Sequence, residues 1–169
     1  MNTTVTRPTQ THYRQSVANF PSGVTVVTTH SNGEDVGLTV SAFASLSLEP
    51  PMVLVSIDES SRSHEFLQQG APIGISVLAA DHTETAVSFA RHGHDRFAGV
   101  EIERRDSVPF IAGAVAWFLG EVTHRFIAGD HVILAVTVRG CDFREDATPL
   151  LYQNGRLRPW PELDPAIAG

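Results

Sequence analysis

Two long stretches of strand-forming sequence, separated by a tight turn, constrain the fold of this chain most strongly. Within His131 to Phe143, every second residue of the first half is aliphatic: Val132, Leu134, Val136 and Val138. This period of two is typical of a strand with one buried face. The preceding stretch, Ala114 to Ile127, is also strand-like, and Ala128-Gly129-Asp130 joins the two. We therefore expect a long antiparallel hairpin.

Four further segments have strand character. They are Gly23 to Thr29, Val36 to Phe43, Met52 to Ile57 and Ile73 to Leu78. Val and Thr, which are β-branched and favour strands, fill the first of them. Ser31-Asn32-Gly33 is a turn sequence, so the first two segments are predicted to form a hairpin.

Three short helices are predicted between the strands. They cover Tyr13 to Phe20, Arg62 to Gln69, where Gly70 would end the helix, and Thr83 to Arg91. Asp81 and Glu84 occupy the positions of a capping box before the third helix. About six strands with short helices indicate a mainly β chain of the α+β type, folded as an antiparallel barrel, since closure removes exposed sheet edges.

Length and composition exclude several classes of protein. The 169 residues suit one domain, and 42% apolar residues suffice for a core. A net charge of −7 argues against a general nucleic-acid binder, although a local basic pocket remains compatible with it. One cysteine, Cys141, cannot form an internal disulfide. The polar segments 1–10 and 161–169 are expected to be flexible, leaving one domain over 11–160.

The chain also lacks the patterns that would direct it to a membrane. Residues 1–10 contain no hydrophobic stretch of a secretory signal. Ser107 to Gly120 is uncharged but shorter than the roughly 20 apolar residues of a membrane helix. We expect a soluble cytoplasmic protein that does not bind membranes.

A hydroxyl-rich segment is the first candidate for chemistry. Thr39-Val40-Ser41-Ala42 is followed by Ser45 and Ser47, so small donors and acceptors stand among small apolar residues. Such a segment lets a flat polar ring approach the backbone and form hydrogen bonds with it. The alternative is an ordinary strand with Ser and Thr on its exposed face.

A second candidate, Ser61-Arg62-Ser63, follows Ser60 and precedes the predicted helix at Arg62 to Gln69. Hydroxyls and a guanidinium at a helix start suit a phosphate. The alternative is a serine cap beside a solvated arginine. The two candidate segments flank a predicted strand, and together they would fit a mononucleotide with an aromatic head.

The remaining candidates are weaker. His131 follows Gly129-Asp130 and opens a strand, where it is either a residue at a pocket mouth or a turn residue. Arg96-Phe97 is either part of a site or an exposed cation beside a core ring. His92, His94 and Asp95 lack a fourth ligand for zinc, so we predict a solvated loop and no metal.

In order along the chain, several segments resemble the flavin reductase family, the short-chain reductases with an FMN-binding split barrel. The segments are FPSGVTVVTT from Phe20, GLTVSAFASLSLEPP from Gly37, SSRSHEFL from Ser60, SVLAADH from Ser76, DRFAG from Asp95, GDH from Gly129 and PLLYQNGR from Pro149. The resemblance covers about Tyr13 to Trp160.

This resemblance implies a homodimeric split barrel that uses NADH or NADPH to reduce FMN, with FAD possible, often for a separate monooxygenase. It implies that the segment with Thr39, Val40, Ser41, Ala42, Ser45 and Ser47 holds the isoalloxazine and ribityl chain. Ser61, Arg62 and Ser63 match the phosphate segment. Arg96 and Phe97 match a stretch that closes over the flavin. Gly129, Asp130 and His131 match the motif near the nicotinamide, with Tyr152 close by and His131 as the catalytic candidate.

Two departures from the family pattern stand out. Ser76 occupies a position where asparagine is common, and Leu157 one where an aromatic is common, which weakens any ring stacking there. The alternatives are therefore a non-catalytic flavin-binding or partner-binding module on the same barrel, and a barrel of the pyridoxamine-phosphate-oxidase type, which the TVSAFASLSLEPP segment disfavours. Sequence alone leaves open NADH against NADPH, FMN against FAD, whether flavin is retained, and the identity of a partner oxygenase.

Overall fold

The computed structural model describes residues 5–93 and 95–161. Two helices, α1 (Gln10–Val17) and α2 (Thr83–Ala90), and a 3₁₀ turn (Arg62–Glu65) accompany twelve strands. The strands are β1 (Ser22–Gly23), β2 (Thr25–Ser31), β3 (Glu34–Val40), β4 (Phe43–Leu48), β5 (Pro51–Asp58), β6 (Pro72–Val77), β7 (Ile102–Arg105), β8 (Val108–Ile111), β9 (Ala116–Ala128), β10 (His131–Phe143), β11 (Leu150–Gln153) and β12 (Arg156–Pro159). No helix in the described ranges is long and apolar enough to cross a membrane.

Seven strands form the main antiparallel sheet, in the order β3-β2-β6-β9-β10-β5-β4. Its principal core contains Leu38 of β3 and Val55 of β5, which come from distant places in that order, together with Ile75, Val122 and Leu134 from the strands between them. Because strands near opposite ends of this order contribute to one core, the sheet must curl around that core. Val132, Leu134 and Val136 of β10 are buried and supply one wall.

A second core fixes helix α2 against the outside of β2 and β3. Phe89 of α2 is fully buried with Val24, Val26 and Leu150. Phe97 packs edge-on against Phe89, with ring centroids 4.9 Å apart. This packing places the segment after α2 beside the end of β3, where the candidate site lies.

The β7–β8 hairpin is held to the barrel by a partly exposed ion pair between Arg104 and Asp35. Asp35 of β3 accepts from Arg104 Nη2 at 2.5 Å and Nη1 at 3.1 Å, and its Oδ1 lies 2.7 Å from His30 Nδ1. The Arg104 hydrogen bond is the main cause that lowers the pKa of Asp35. The carboxylate therefore joins three strands.

All six strands expected from the sequence are present, and the expected mainly β fold is confirmed. The main sheet has a seventh strand because the segment predicted as one strand, Val36 to Phe43, breaks at Ser41-Ala42 into β3 and β4. The short hairpins β7–β8 and β11–β12 were not predicted, since strands of four residues carry too few repeats to show a period.

The helix predictions need correction at their ends. The segment predicted as a helix over Arg62 to Gln69 is only a 3₁₀ turn ending at Glu65. The capping box is wrong: the residue at the N-cap of α2 is His82, without a side-chain cap, and Asp81 lies one residue outside. Helix α1 begins at Gln10, earlier than predicted and within the segment expected to be flexible. Residues 1–4 and 162–169 of the two predicted flexible ends lie outside the described residues.

Candidate functional site

A cavity of about 280 Å³, which we call the ring cavity, opens where β3 and β5 end and β10 begins. Thr39, Val40, Ser41 and Ala42 line one side, Ser61 and Arg96 lie at another, and His131 closes a third. The three sequence segments singled out for chemistry therefore meet in one place. They meet because β5 pairs with β4 on one side and with β10 on the other.

The break between β3 and β4 shapes the wall of this cavity. Ser41 and Ala42 are exposed and belong to neither strand, while the Ala42 carbonyl still accepts from the Ser56 amide at 3.0 Å. Thr39 Oγ1 donates to the Ala86 carbonyl of α2 at 2.6 Å. The Thr39 hydroxyl thus anchors α2, and the open hydroxyl of this wall is that of Ser41.

The turn between β5 and the 3₁₀ turn presents hydroxyl groups to the cavity. Asp58 accepts from the Ser60 amide at 2.8 Å and from Ser60 Oγ at 2.6 Å. These Ser60 hydrogen bonds lower the pKa of Asp58, which therefore stays ionised and holds the turn. Ser61 is 9% exposed, and in this described segment its side chain forms no cap on the 3₁₀ turn.

A wider cavity of about 730 Å³ continues beyond the first and contains the positive charge of the site. Arg62, Ser63 and Arg96 line it, and three of its lining residues, Ser60, His92 and Arg96, also line the ring cavity. Neither arginine forms an ion pair with a carboxylate among the described residues. Two cations without an acidic partner in the described ranges lie here beside the hydroxyls of Ser60 and Ser63. This cavity, which we call the anion cavity, is therefore the part of the site suited to an anion.

Arg96 is fixed by three hydrogen bonds. Nε donates to the Arg91 carbonyl at 2.9 Å, and Nη1 donates to the Gly37 carbonyl at 2.5 Å and to Ser63 Oγ at 3.3 Å. Burial lowers the pKa of Arg96. Arginine is nonetheless effectively always protonated in proteins, so the guanidinium stays charged. Arg96 therefore ties the segment after α2 to both β3 and the phosphate candidate.

His131 opens β10 directly opposite Asp58 of β5. Its Nδ1 lies 2.7 Å from Asp130 Oδ1, and this hydrogen bond lowers the pKa of Asp130. When Nδ1 carries the proton, the bond to Asp130 orients the ring and leaves Nε2 for a ligand. Gly129, at φ +67°, forms the turn that makes this arrangement possible.

A third cavity, of about 420 Å³, lies on the other side of Thr39 and Ser41. Tyr152 and Leu157 line it with small apolar residues of α2 and with Arg91. Tyr152 was expected beside His131, but within one chain the two residues line different cavities, separated by the end of β3. The two cavities together surround the Thr39–Ser41 segment.

Five of the candidate residues do not line these three cavities: Ser45, Ser47, Phe97, Gly129 and Asp130. Ser45 and Ser47 belong to β4 and are not among the residues that line the three cavities described above. Phe97 is packed against Phe89 and supports the site from behind. For Phe97 the structure therefore favours the core-ring alternative.

Sequence reasoning missed several residues that line the first cavity. They are Ser56, Asp58, Ala90 and His92. His92 was predicted to lie in a solvated loop. It is exposed, but it also lines both the ring cavity and the anion cavity. The Asp58-x-Ser60 spacing of an Asx turn was an available signal. His94 lies outside the described residues, and none of the described residues form a group of three or more side chains able to hold a metal ion.

The residues present fit a flavin nucleotide. Backbone groups and the Ser41 hydroxyl can form hydrogen bonds with the edge of a polar ring, and the Ser61 hydroxyl, which makes no helix cap in the described segment, is available to a ligand. Arg62 and Arg96 then lie where a phosphate would need cations. The fold and this donor set suit a barrel protein that binds a flavin nucleotide.

Comparison with known proteins supports a flavin-binding site in this chain. The family model described as "Flavin reductase like domain" matches residues 17–161. The actinorhodin polyketide dimerase of Streptomyces coelicolor is 37% identical over 85% of this chain and 82% of its own. An NADH-dependent flavin reductase of a Rhodococcus species is 35% identical over 89% of this chain and 86% of its own. The NADH:FAD oxidoreductase of Streptomyces globisporus, solved in complex with NAD and FAD fragments, superposes with a TM-score of 0.85 at 31% identity, over 94% of each chain.

The chain therefore belongs to the family of flavin-reductase-like domains. These matches confirm the predictions of family, split-barrel fold and flavin reductase class that were made from the sequence.

Proposed function

We propose that this protein uses NADH to reduce FMN and delivers the reduced flavin to a separate oxygenase component. One observation carries the proposal: the ring cavity and the anion cavity are continuous, sharing Ser60, His92 and Arg96. A ligand with a flat polar head and a phosphate would occupy both at once. The relatives support the hydride donor, since two of them are named as NADH-dependent or NADH-using enzymes.

The proposed roles follow the geometry. The Ser41-Ala42 backbone and the Ser41 hydroxyl hold the edge of the ring, and Ser61, Arg62, Ser63 and Arg96 hold the phosphate. A terminal phosphate carries about −1.5 to −2 charge near neutral pH. Two arginines without carboxylate partners in the described ranges match that charge, which supports a flavin that carries phosphate over riboflavin.

The catalytic contribution of the chain is mainly positioning. When bound, flavin supplies the chemistry of hydride acceptance, so the protein needs no metal and no acid–base dyad for the transfer itself. Asp130 fixes the imidazole of His131, and Nε2 of His131 would orient the nicotinamide amide. Holding two reactants in register is worth about 7–11 kcal/mol in favourable cases.

The third cavity is the proposed place for the rest of the dinucleotide. Tyr152 and the apolar residues beside Leu157 offer a surface for a ring, and Arg91 offers a cation for a phosphate. Leu157 can pack against a ring but cannot stack on it as an aromatic would. Among the described residues, Arg91 is the one basic side chain that lines this cavity. A single cation suits NADH better than the more highly charged NADPH.

A second copy and a separate enzyme are the proposed protein partners. Helix α1 has eight residues and buries none of them, although Tyr13 and Val17 are apolar. So short a helix is marginal without tertiary packing, and a two-fold partner would supply it. For the oxygenase, support comes from a relative of Rhodococcus opacus, 34% identical over 86% of this chain, named as the reductase component of a nitrophenol monooxygenase.

NADH oxidation, followed by absorbance with and without FMN, tests the function directly. Turnover that depends on added FMN supports it, and crossing NADH and NADPH against FMN, FAD and riboflavin ranks the substrates. Flavin binding without any NADH or NADPH oxidation would instead support the alternative of a non-catalytic flavin-binding module.

A further inference from the structure

Arg125 occupies an unusual environment against the 3₁₀ turn, where it contacts His64 and Gln68. It lies on β9 opposite Leu134 of β10, and its Nε is buried without a hydrogen-bond partner among the described residues. No carboxylate in the same ranges forms an ion pair with it. A buried, unsatisfied polar atom usually costs stability, so its presence calls for an explanation.

The rest of the guanidinium is directed to the segment that follows the phosphate candidate residues. Nη1 donates to Gln68 Oε1, and Nη2 donates to His64 Nδ1 at 3.3 Å and lies 3.5 Å from the His64 carbonyl oxygen. Gln68 Nε2 in turn donates to the Glu65 carbonyl at 3.0 Å. One side chain of the barrel wall therefore holds the 3₁₀ turn that contains Arg62 and Ser63.

The other end of the same turn is already fixed by Asp58, which accepts two hydrogen bonds from Ser60. Between Asp58 and His64 the described segment contains no long helix that would hold it rigid, since the 3₁₀ turn spans only Arg62–Glu65. The hydroxyls of this segment and Arg62 can keep a geometry that suits a phosphate only if both ends of the segment are fixed. Arg125 is absent from the lining of the anion cavity itself.

We propose that Arg125 is a positioning residue for the flavin phosphate: it fixes His64 and Gln68, and through them Ser61, Arg62 and Ser63, without touching the ligand. The proposal rests on the proposed flavin reductase function. In this proposal, the stability lost at the unsatisfied Nε is offset by tighter phosphate binding at a preorganised anion site. The proposal also distinguishes Arg125 from Arg62 and Arg96, which line the cavity.

The test compares FMN and riboflavin binding by calorimetry in Arg125→Met and Arg125→Lys. Because riboflavin has no phosphate, Arg125→Met should weaken FMN binding by about tenfold or more while riboflavin changes by less than about twofold. Arg125→Lys keeps the charge but cannot hold His64 and Gln68 together. It should therefore resemble Arg125→Met. Arg139→Met, an exposed arginine on β10, is the matched control and should change neither affinity.

A double-mutant cycle adds a readout that a general structural role would not move. If Arg125 acts through Gln68, the losses in FMN affinity from Arg125→Met and Gln68→Ala should be clearly less than additive in the double variant. Should Arg125→Met fail to fold, Arg125→Lys and Gln68→Ala still provide the comparison.

Three results would overturn the proposal: equal losses for FMN and riboflavin, full recovery of FMN affinity by lysine, or strictly additive losses. The second of these would mean that Arg125 acts through its charge alone. Arg62→Ala is measured in parallel. If Arg62→Ala discriminates FMN from riboflavin and Arg125→Met does not, the inference fails while the proposed phosphate site stands.

Discussion

His131 and Asp58 face each other across β10 and β5, and each is tied to the turn beside it: His131 to Asp130 at 2.7 Å, and Asp58 to Ser60 at 2.6 Å. The pairing of His131 with Asp58 thus connects the candidate nicotinamide site with the candidate phosphate site. A displacement of either strand end would disturb both halves of the site. The following predictions test these halves separately.

His131→Ala should lower the rate of flavin reduction and leave FMN affinity nearly unchanged. Loss of one hydrogen bond made in the transition state, worth about 1.5–3 kcal/mol, corresponds to a rate roughly 10- to 150-fold lower. His131→Asn keeps a donor and should recover part of this. Stopped-flow reduction of bound FMN measures the effect, with His124→Ala as the control at an exposed histidine of β9. A normal rate with a lowered melting temperature would make His131 a turn residue only.

Arg62→Ala should weaken FMN binding by about tenfold or more, since a hydrogen bond to a charged group contributes about 1.5–3 kcal/mol. Riboflavin affinity should stay the same. Fluorescence titration of both flavins measures the difference, and Arg139→Ala serves as the control. Equal losses for the two flavins would remove Arg62 from the phosphate site.

Gly37→Ala should destabilise the fold and loosen Arg96. A Cβ at Gly37 would lie 2.6 Å from Phe89 Cε1 and 3.2 Å from Phe97 Cζ, so the aromatic pair must shift. Overpacking of this kind costs about 1–3 kcal/mol. Because the Gly37 carbonyl accepts from Arg96, FMN affinity should fall as well. Chemical denaturation and flavin titration check the two effects. Gly23→Ala, where an added Cβ meets nothing within 4 Å, is the control and should have little effect.

The lowered pKa of Asp35 predicts that the protein becomes less stable in acid. The pKa of Asp35 in the folded state is lowered, chiefly by Arg104, below the ordinary value of 3.8. The folded state therefore binds this proton less readily than the unfolded state. The stabilisation is complete above pH 3.8 and is lost as the pH falls through the lowered folded value. Asp35→Asn should be less stable than the parent at neutral pH, and the gap should narrow below that pH.

Urea denaturation across the acid range measures the Asp35 effect. Asp146→Asn is the control, because Asp146 is 87% exposed and 3.9 Å from its arginine. A gap between Asp35→Asn and the parent that stays constant to the lowest measurable pH would contradict the prediction.

Light scattering should give twice the 18.3 kDa chain mass at micromolar concentration. Val17→Glu, on the exposed face of α1, should shift the protein towards the monomer, because burying a charge in an apolar interface is costly. Gln15→Glu adds the same charge on the same helix and should leave the mass unchanged. A parent protein that is monomeric at this concentration would defeat the prediction.

The sequence predicted the long strands well because their burial is regular. In β10, Val132, Leu134 and Val136 are all buried, as their period of two predicted, and the valine and threonine run of β2 favours one conformation. The break at Ser41-Ala42 was hidden within a continuous strand-like segment, since it is set by pairing of β4 with β5 rather than by a local breaker. The same break opens the wall of the ring cavity.

The candidate site was predicted from separate motifs, and the structure brings Ser41, Ser61, Arg96 and His131 to one cavity. Asp58 and Arg125 were missed for different reasons. Asp58 accepts a hydrogen bond from the Ser60 amide in the neighbouring turn, and the Asp58-x-Ser60 spacing could have indicated this contact. Arg125 acts across 57 residues of chain through Gln68, a contact that only the folded barrel creates.

The segment from Thr39 to Ser41 lines two cavities at once, and this has a thermodynamic consequence. If each cavity takes one of the two nucleotides, any adjustment of this wall that favours one ligand changes the free energy of binding the other. Linkage requires the effect to be mutual: the factor by which flavin alters the dissociation constant of the dinucleotide equals the factor by which the dinucleotide alters that of flavin. Release of flavin to a second enzyme would then depend on whether the dinucleotide site is filled.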